Sequence, residues 1–225
     1  VRVVLLSLLA LALAAPALGA DGDPRKALTT EGQAAAKSIV LRKGDLVAGF
    51  VAHPSSDDSR PKGARCGAVD ESDLKVSGEA TSPDFSLDRA GVAVGSSASV
   101  YTTVRDSMTA WRRAATDGAV RCFADLVRLD APKAAGVKIV SAKRIRLPAL
   151  PATSIAYRVV ATMKVAGGGT MRAYFDAVLL RRGAVQSALV VSSLGTPVPI
   201  GQERTLAAVL AARMAKAARP KGPVA

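Results

Sequence analysis

Residues 155–193, IAYRVVATMKV-AGGGT-MRAYFDAVLLRRGAVQSALVVSS, decide the fold. On the first segment Ile155, Tyr157, Val159, Ala161, Met163 and Val165 alternate with Ala156, Arg158, Val160, Thr162 and Lys164. A period of two is the mark of a strand buried on one face. Gly167, Gly168 and Gly169 supply the positive-φ positions of a reversal, and Arg182-Gly183 supplies a second. The stretch therefore reads as three antiparallel strands joined by two tight turns.

Ahead of this scaffold, residues 1–20, VRVVLLSLLALALAAPALGA, carry one early Arg2, an apolar run and then small residues. That is the pattern of a secretory signal peptide cleaved near Ala20. As a helix the run from Val3 to Ala15 spans roughly 20 Å, short of a bilayer core of about 30 Å. No cysteine follows it, which argues against a lipid anchor attached through sulfur. The expected protein is thus exported, without a transmembrane segment after cleavage. Residues 21–29 read as a flexible segment, 30–217 as one domain and 218–225 as a disordered basic tail.

Cys66 and Cys122 are the only cysteines, and in an exported chain an even pair most economically forms one structural disulfide. The net charge is +13 in a chain of 225 residues. Outside the cytosol that makes anionic partners such as cell-surface polymers or lipid head groups plausible, the alternative being a merely basic surface. Few aromatic residues interleave the basic ones, which argues against a specific nucleic-acid surface.

Along the chain, TEGQAAAKSIVLRK reads as a helix with Thr30 as its N-cap and Gly44 as its end. GDLVAGFVAHP leads out through an extended piece, and SSDDSRPKGARCG reads as an exposed loop. Leu74–Ala80 and 90–101 look like paired strands around a turn at Ser82-Pro83-Asp84, the second weakened by Gly95 and three serines. Two helices follow. Val104, Met108, Trp111 and Ala115 mark one face of the first; Asp117 can cap the second, whose stripe is Val120, Phe123, Leu126 and Val127. In the strand 137–147, Val137, Ile139, Ser141, Lys143, Ile145 and Leu147 share a face. A last helix spans roughly 201–217, with Leu206, Val209, Leu210, Arg213 and Met214 on one side. Strands grouped by short turns with helices beside them indicate an α+β fold: a central twisted antiparallel sheet with helices packed on it.

These pieces, in this order, resemble the PknH-like extracytoplasmic sensor domain family of actinobacteria. The resemblance is carried by GDLVAGFVAHP, by CGAVDESDLKVSGEATSPDF, by SASVYTTVRDSMTAWRRA with RCFADLV, and by FDAVLLRRGAVQSALVVSSLGTPVP with the helix after it. It covers nearly all of the chain after the leader. It implies an α+β sheet fold and a ligand-sensing or binding role rather than catalysis. This sequence departs from the kinase-linked version: it holds no kinase domain and no membrane helix after the leader, and one cysteine pair where that version has two.

No stretch spells out a chemistry. His53 is the only histidine, and no G-x-S-x-G elbow singles out a serine for it, so a triad is disfavoured. Asp70, Glu71 and Asp73, with Asp57 and Asp58 upstream, lack the ligand spacing of a Ca²⁺ loop and read as a solvated turn. Gly167–Gly169 is followed by no Lys-Ser/Thr, so it reads as a hairpin turn and not as a phosphate cradle. Neither a cofactor nor a metal is called for. The leading reading is a non-enzymatic exported binding or sensor-like domain with a small apolar or anionic ligand in a groove between sheet and helices. Trp111, Tyr157, Arg158, Arg172 and Tyr174 are its candidate contacts, with Phe175 beside them, and Arg158, Arg172, Arg181 and Arg182 are candidates for a basic sheet face. Two alternatives stand: a charge-driven cell-surface interaction protein, and a hydrolase whose site would show a perturbed carboxylate or His53 in a cleft.

Overall fold

The computed structural model describes residues 23–55, 66–130, 135–164 and 168–218. In chain order the elements are β1 (Arg25–Lys26), α1 (Thr30–Ile39), β2 (Val51–His53), β3 (Lys75–Thr81), β4 (Asp84–Leu87), β5 (Val92–Tyr101), α2 (Val104–Ala114), α3 (Asp117–Asp130), β6 (Lys138–Ile145), β7 (Thr153–Lys164), β8 (Thr170–Arg182), β9 (Val185–Leu194) and α4 (Ile200–Ala217). The strands form one sheet in the order β1-β3-β5-β9-β8-β7-β6, with β4 beside β5 and β2 beside β4. Every pairing is antiparallel except β1 with β3. The expected α+β fold with a central antiparallel sheet is the one observed, and no helix among the described residues is long and apolar enough to cross a membrane. Residues 1–20, expected as a leader, residues 219–225 of the expected tail, Asp57, Asp58, Val165 and Gly167 lie outside the described residues.

Alternation of side chains along the meander gives the sheet two apolar faces, each covered by a helix pair. On one face Val178, Leu180, Leu189 and Val191 meet Ala36 and Ile39 of α1 and Ala207, Leu210 and Met214 of α4. On the other, Tyr157, Val159, Ala161, Met163 and Phe175 meet Val120, Phe123 and Val127 of α3. Gln186 on that second face donates to Ser107 O of α2 at 2.6 Å. Burying both faces makes β5, β9, β8 and β7 interior strands. This explains why β5 carries serines at its centre: Ser96, Ser97 and Ser99 are at most 1 % exposed. Their small side chains fit between the covered faces, and Ser96 Oγ accepts from Leu41 N at 2.8 Å.

α1 crosses β3 backbone to backbone. A Cβ on Gly78 would lie 2.0 Å from Gly32 O, and one on Gly32 would lie 2.3 Å from Ser77 O. Only glycine at both positions permits that approach.

Several local expectations are corrected. Residues 25–29 are not loose: Arg25 N, Ala27 N and Thr29 N bond to Leu74 O, Val76 O and Ser77 O along β3. Thr29, not Thr30, caps α1, its Oγ1 accepting from Gly32 N at 3.0 Å, and α1 ends at Ile39 rather than Gly44. Asp84 lies in β4, not in a turn. In α2 the buried side is Ser107, Ala110, Trp111 and Ala114, and Val104, the first residue after the Thr103 cap, is 55 % exposed. Thr116 rather than Asp117 caps α3, its Oγ1 accepting from Ala119 N. In β6 a bulge at Val140 breaks the expected common face: Ile139 pairs with Ala161, but Ser141 pairs with Val160. Val137, Ile139 and Ala142 therefore pack toward α3, while Ile145 and Leu147 pack toward α4.

Cys66 and Cys122 form the expected disulfide, with Cα atoms 5.7 Å apart and a sequence separation of 56. It ties α3 to the short turn Gly67–Val69 ahead of β3, around Val69 and Ala119. Closing such a loop removes unfolded-state entropy worth about 4 kcal/mol. Replacing both cysteines by serine is expected to lower unfolding stability by about that amount in urea titrations under oxidising conditions. Gly78→Ala should cost about 3 kcal/mol in the same titration by forcing α1 off β3, whereas alanine at Gly44, where a Cβ meets nothing within 4 Å, should be near neutral.

Candidate functional site

The cross-strand register sets a charged row into the apolar face under α4. Arg158 pairs with Asp176, Asp176 with Val191 and Val191 with Val94. Arg158 grips Asp176 as a fork, Nε to Oδ1 at 2.7 Å and Nη2 to Oδ2 at 2.7 Å. Arg158 Nη2 also reaches Glu203 Oε1 of α4 at 3.4 Å. Asp176 is 2 % exposed and Glu203 is fully buried. Burial, then the neighbouring Asp176 carboxylate, pushes the Glu203 carboxyl up to about 8, with Arg158 opposing. One guanidinium thus faces two acids, and at neutral pH the second holds a proton.

Beside Glu203 lies a cavity of about 250 Å³. Val92, Val94 and Val191 form its floor, α4 one wall through Glu203 and Leu206, and Leu46 and Phe50 the opposite wall. The loop bearing that wall is clamped to α4: Arg213 forks onto Asp45 at 2.8 and 2.7 Å and donates to Val40 O at 2.8 Å. Asp45 in turn accepts from Arg42 N at 2.7 Å, closing the turn Lys43–Asp45. On the loop's outer side a wider depression, about 500 Å³ between Ala48–Val51 and Leu87–Arg89, is lined only by exposed or half-buried side chains.

The five expected contact residues do not converge. Trp111 and Tyr157 are buried on the α2/α3 side, where the Tyr157 hydroxyl donates to Ala114 O and burial raises its pKa to about 12. Arg158, Tyr174 and Arg172 face the opposite side. Arg158 is consumed by its two acids, Tyr174 is half-buried and Arg172 is exposed. Phe175 belongs to the α3 core. The expected basic sheet face is not built: Arg181 and Arg182 serve backbone carbonyls of Gly183 and Pro151.

Sequence reasoning missed Glu203, Asp176 and Asp45. A glutamate in a helix's first turn reads as a partner for the helix dipole. A usable signal was the stripe Ala207, Leu210, Ala211, Met214, which extends back by four to Glu203.

A second buried carboxyl lies at the other end. Tyr101 donates to Glu71 Oε2 at 2.7 Å, and burial lifts Glu71 to about 7 and Tyr101 well above its usual value. Around it Arg113 forks onto Asp73 and Asp70 accepts from Ser72 N, so Asp70, Glu71 and Asp73 are each engaged separately. No group of acidic, histidine or cysteine side chains among the described residues is placed to hold a metal ion. His53 Nε2 lies 2.9 Å from Ser86 Oγ across the β2/β4 pair, a contact the sequence did not suggest.

No protein-family model matches the chain, and no curated protein matches it.

The folded state holds the Glu71 proton more tightly than an unfolded chain ionising near 4.5, so this group's contribution to stability is lost as pH rises from 4.5 to about 7. The shift corresponds to about 3 kcal/mol. Glu71→Gln should therefore gain on the wild type by about that amount in urea unfolding between pH 4.5 and pH 8; a difference constant with pH would show Glu71 ionised in the fold.

Proposed function

We propose that this protein is an exported, non-enzymatic ligand-binding domain related to the PknH-like sensor domains, and that the cavity between α4, the sheet and the Leu46–Phe50 loop is its binding site. The cavity carries the reading. Its floor is valine, its walls are mostly apolar with Asp45, Gln202, Glu203 and Thr205 among them, and its loop wall is tied to α4 by the Arg213–Asp45 clamp. The leader-like residues 1–20 and the disulfide support export, since structural disulfides persist outside the cytosol.

Two details refine the expected ligand. The acids Asp45 and Glu203 line the cavity and both nearby arginines are spent on acids, which disfavours an anionic ligand and leaves an apolar body. Glu203 has the perturbed carboxyl a hydrolase would need, yet Asp176 is locked by Arg158 and Asp45 by Arg213, so neither is free to act with it.

A second reading, docking to anionic polymers or lipid head groups, draws on β6. That edge strand exposes Lys138, Lys143 and Arg144, with Arg146 just beyond it. Salt separates the two, because charge-driven docking collapses over a few hundred millimolar and binding in an apolar cavity does not.

Native mass spectrometry of protein recovered from an exporting host should show a mass excess that is lost on denaturation, and Leu206→Trp, which fills the cavity, should abolish it. A bare wild-type mass together with salt-sensitive binding to anionic vesicles would transfer the function to the β6 surface.

A further inference from the structure

We propose that the loop Leu46–Ala52 docks this protein on an anionic phospholipid bilayer, its exposed valines entering the boundary between head groups and acyl chains while Arg42, Lys43 and Arg89 meet the phosphates. This goes beyond the cavity reading and does not depend on it.

Leu46, Val47, Ala48, Gly49, Phe50, Val51 and Ala52 follow one another without a polar side chain. Leu46 and Phe50 pack back onto the core under α4. Val47, Ala48, Gly49, Val51 and Ala52 stay in water, Val47 at 73 % and Val51 at 51 % exposure. Single exposed apolar side chains are ordinary, and Leu28, Val104, Leu129 and Val140 are of that kind, each on a different segment of the chain. Among the described residues only this loop joins two such side chains into one patch, and a contiguous apolar patch marks an interaction surface. The loop is also presented rigidly. Gly49, at φ 103°, turns the chain at the tip. The Arg213–Asp45 fork holds one stem, and the pairing of Val51 with Ser86 and Ala52 with Phe85 holds the other. Docking therefore costs little ordering entropy.

Charge names the partner. Arg42 and Lys43 are exposed at the start of the loop, and Arg89 lies over its tip, where a Cβ on Gly49 would be 3.6 Å from the guanidinium. Of the acids nearby, Asp45 is held by Arg213, and Asp88 lines the depression beside Arg89. Cations around a small apolar tip suit a surface whose phosphates lie above acyl chains. A second copy of this chain fits less well. Two valines, two alanines and a glycine fall short of the roughly 800 Å² per partner that a stable interface buries, and each copy would bring a net charge of +13. A bilayer asks for neither that area nor a matching shape. Side chains alone enter it, and the loop backbone stays at head-group level, where water still bonds it.

A fluorescent reporter tests this. Cys66 and Cys122 are bonded to each other, so Ala48→Cys adds the one thiol that a polarity-sensitive dye can label. Its emission should move to the blue with vesicles of equal parts phosphatidylcholine and phosphatidylglycerol, and the same dye on Lys143→Cys of β6 should not move. In cosedimentation with these vesicles, Val47→Asp combined with Val51→Asp should lower partitioning about tenfold or more, and Lys43→Gln about fivefold. The substituted side chains are exposed, and thermal unfolding like that of the wild type checks that each variant is folded. Absence of vesicle binding, unchanged binding by the double valine variant, or a shift of the β6 label without one at residue 48 would overturn the proposal. So would a blue shift that needs no lipid and grows with protein concentration, which marks self-association. None of these outcomes bears on the mass excess expected for a filled cavity.

Discussion

A guanidinium fork in the middle of a sheet face governs how α4 sits. Burying Arg158 and Asp176 costs several kcal/mol per ion unless each is paired and hydrogen-bonded, and the bidentate geometry at 2.7 Å meets that condition for Asp176. It leaves part of the guanidinium unsatisfied, and Glu203 comes down on that side. Removing either charge of the fork would strand the other under the helix. The pair thus registers α4 against β7 and β8, and the gap between α4 and the loop wall becomes the cavity.

The same helix is fixed at its far end by a second fork, Arg213 on Asp45. The two forks have different surroundings and different tasks. Arg158–Asp176 lies against the sheet and sets depth, while Arg213–Asp45 is partly solvated and sets the distance of the Leu46–Phe50 wall. Between them the apolar side chains of α4, Ala207, Leu210, Ala211 and Met214, fill the space over the sheet completely, all at 0 % exposure. The cavity appears only where that stripe gives way to Glu203.

The meander was legible because its alternation is strict: Tyr157, Val159, Ala161 and Met163 are all buried together, as a period of two requires. The disulfide was legible because only one pairing exists. What the sequence hid was relational. β6 looked uniform because a bulge adds a residue without leaving a compositional trace, so Ile139 and Ile145 seemed to share a face they do not share. The serines of β5 looked like weakness, but between two covered faces small side chains fit better than large ones. The contact set failed for a similar reason. Trp111 and Tyr157 lie on the opposite side of the sheet from Arg158 and Tyr174, and one residue of alternation decides the side. Glu203 and Asp176, 27 positions apart, become neighbours through helix–sheet packing that no local pattern encodes.

The placement of β5 has a consequence for how the chain acquires its structure. β5 lies between β3 and β9, and its register with β9 joins Val92 to Ser193 and Val100 to Val185. An N-terminal portion ending anywhere before residue 185 therefore presents a bare, flat strand edge at the middle of the future sheet, and α1 has no α4 to pack against. Pairings over such separations close late and slowly, because the loop entropy is spent before the contacts return anything. Folding is thus held back until almost the whole polypeptide is in one place.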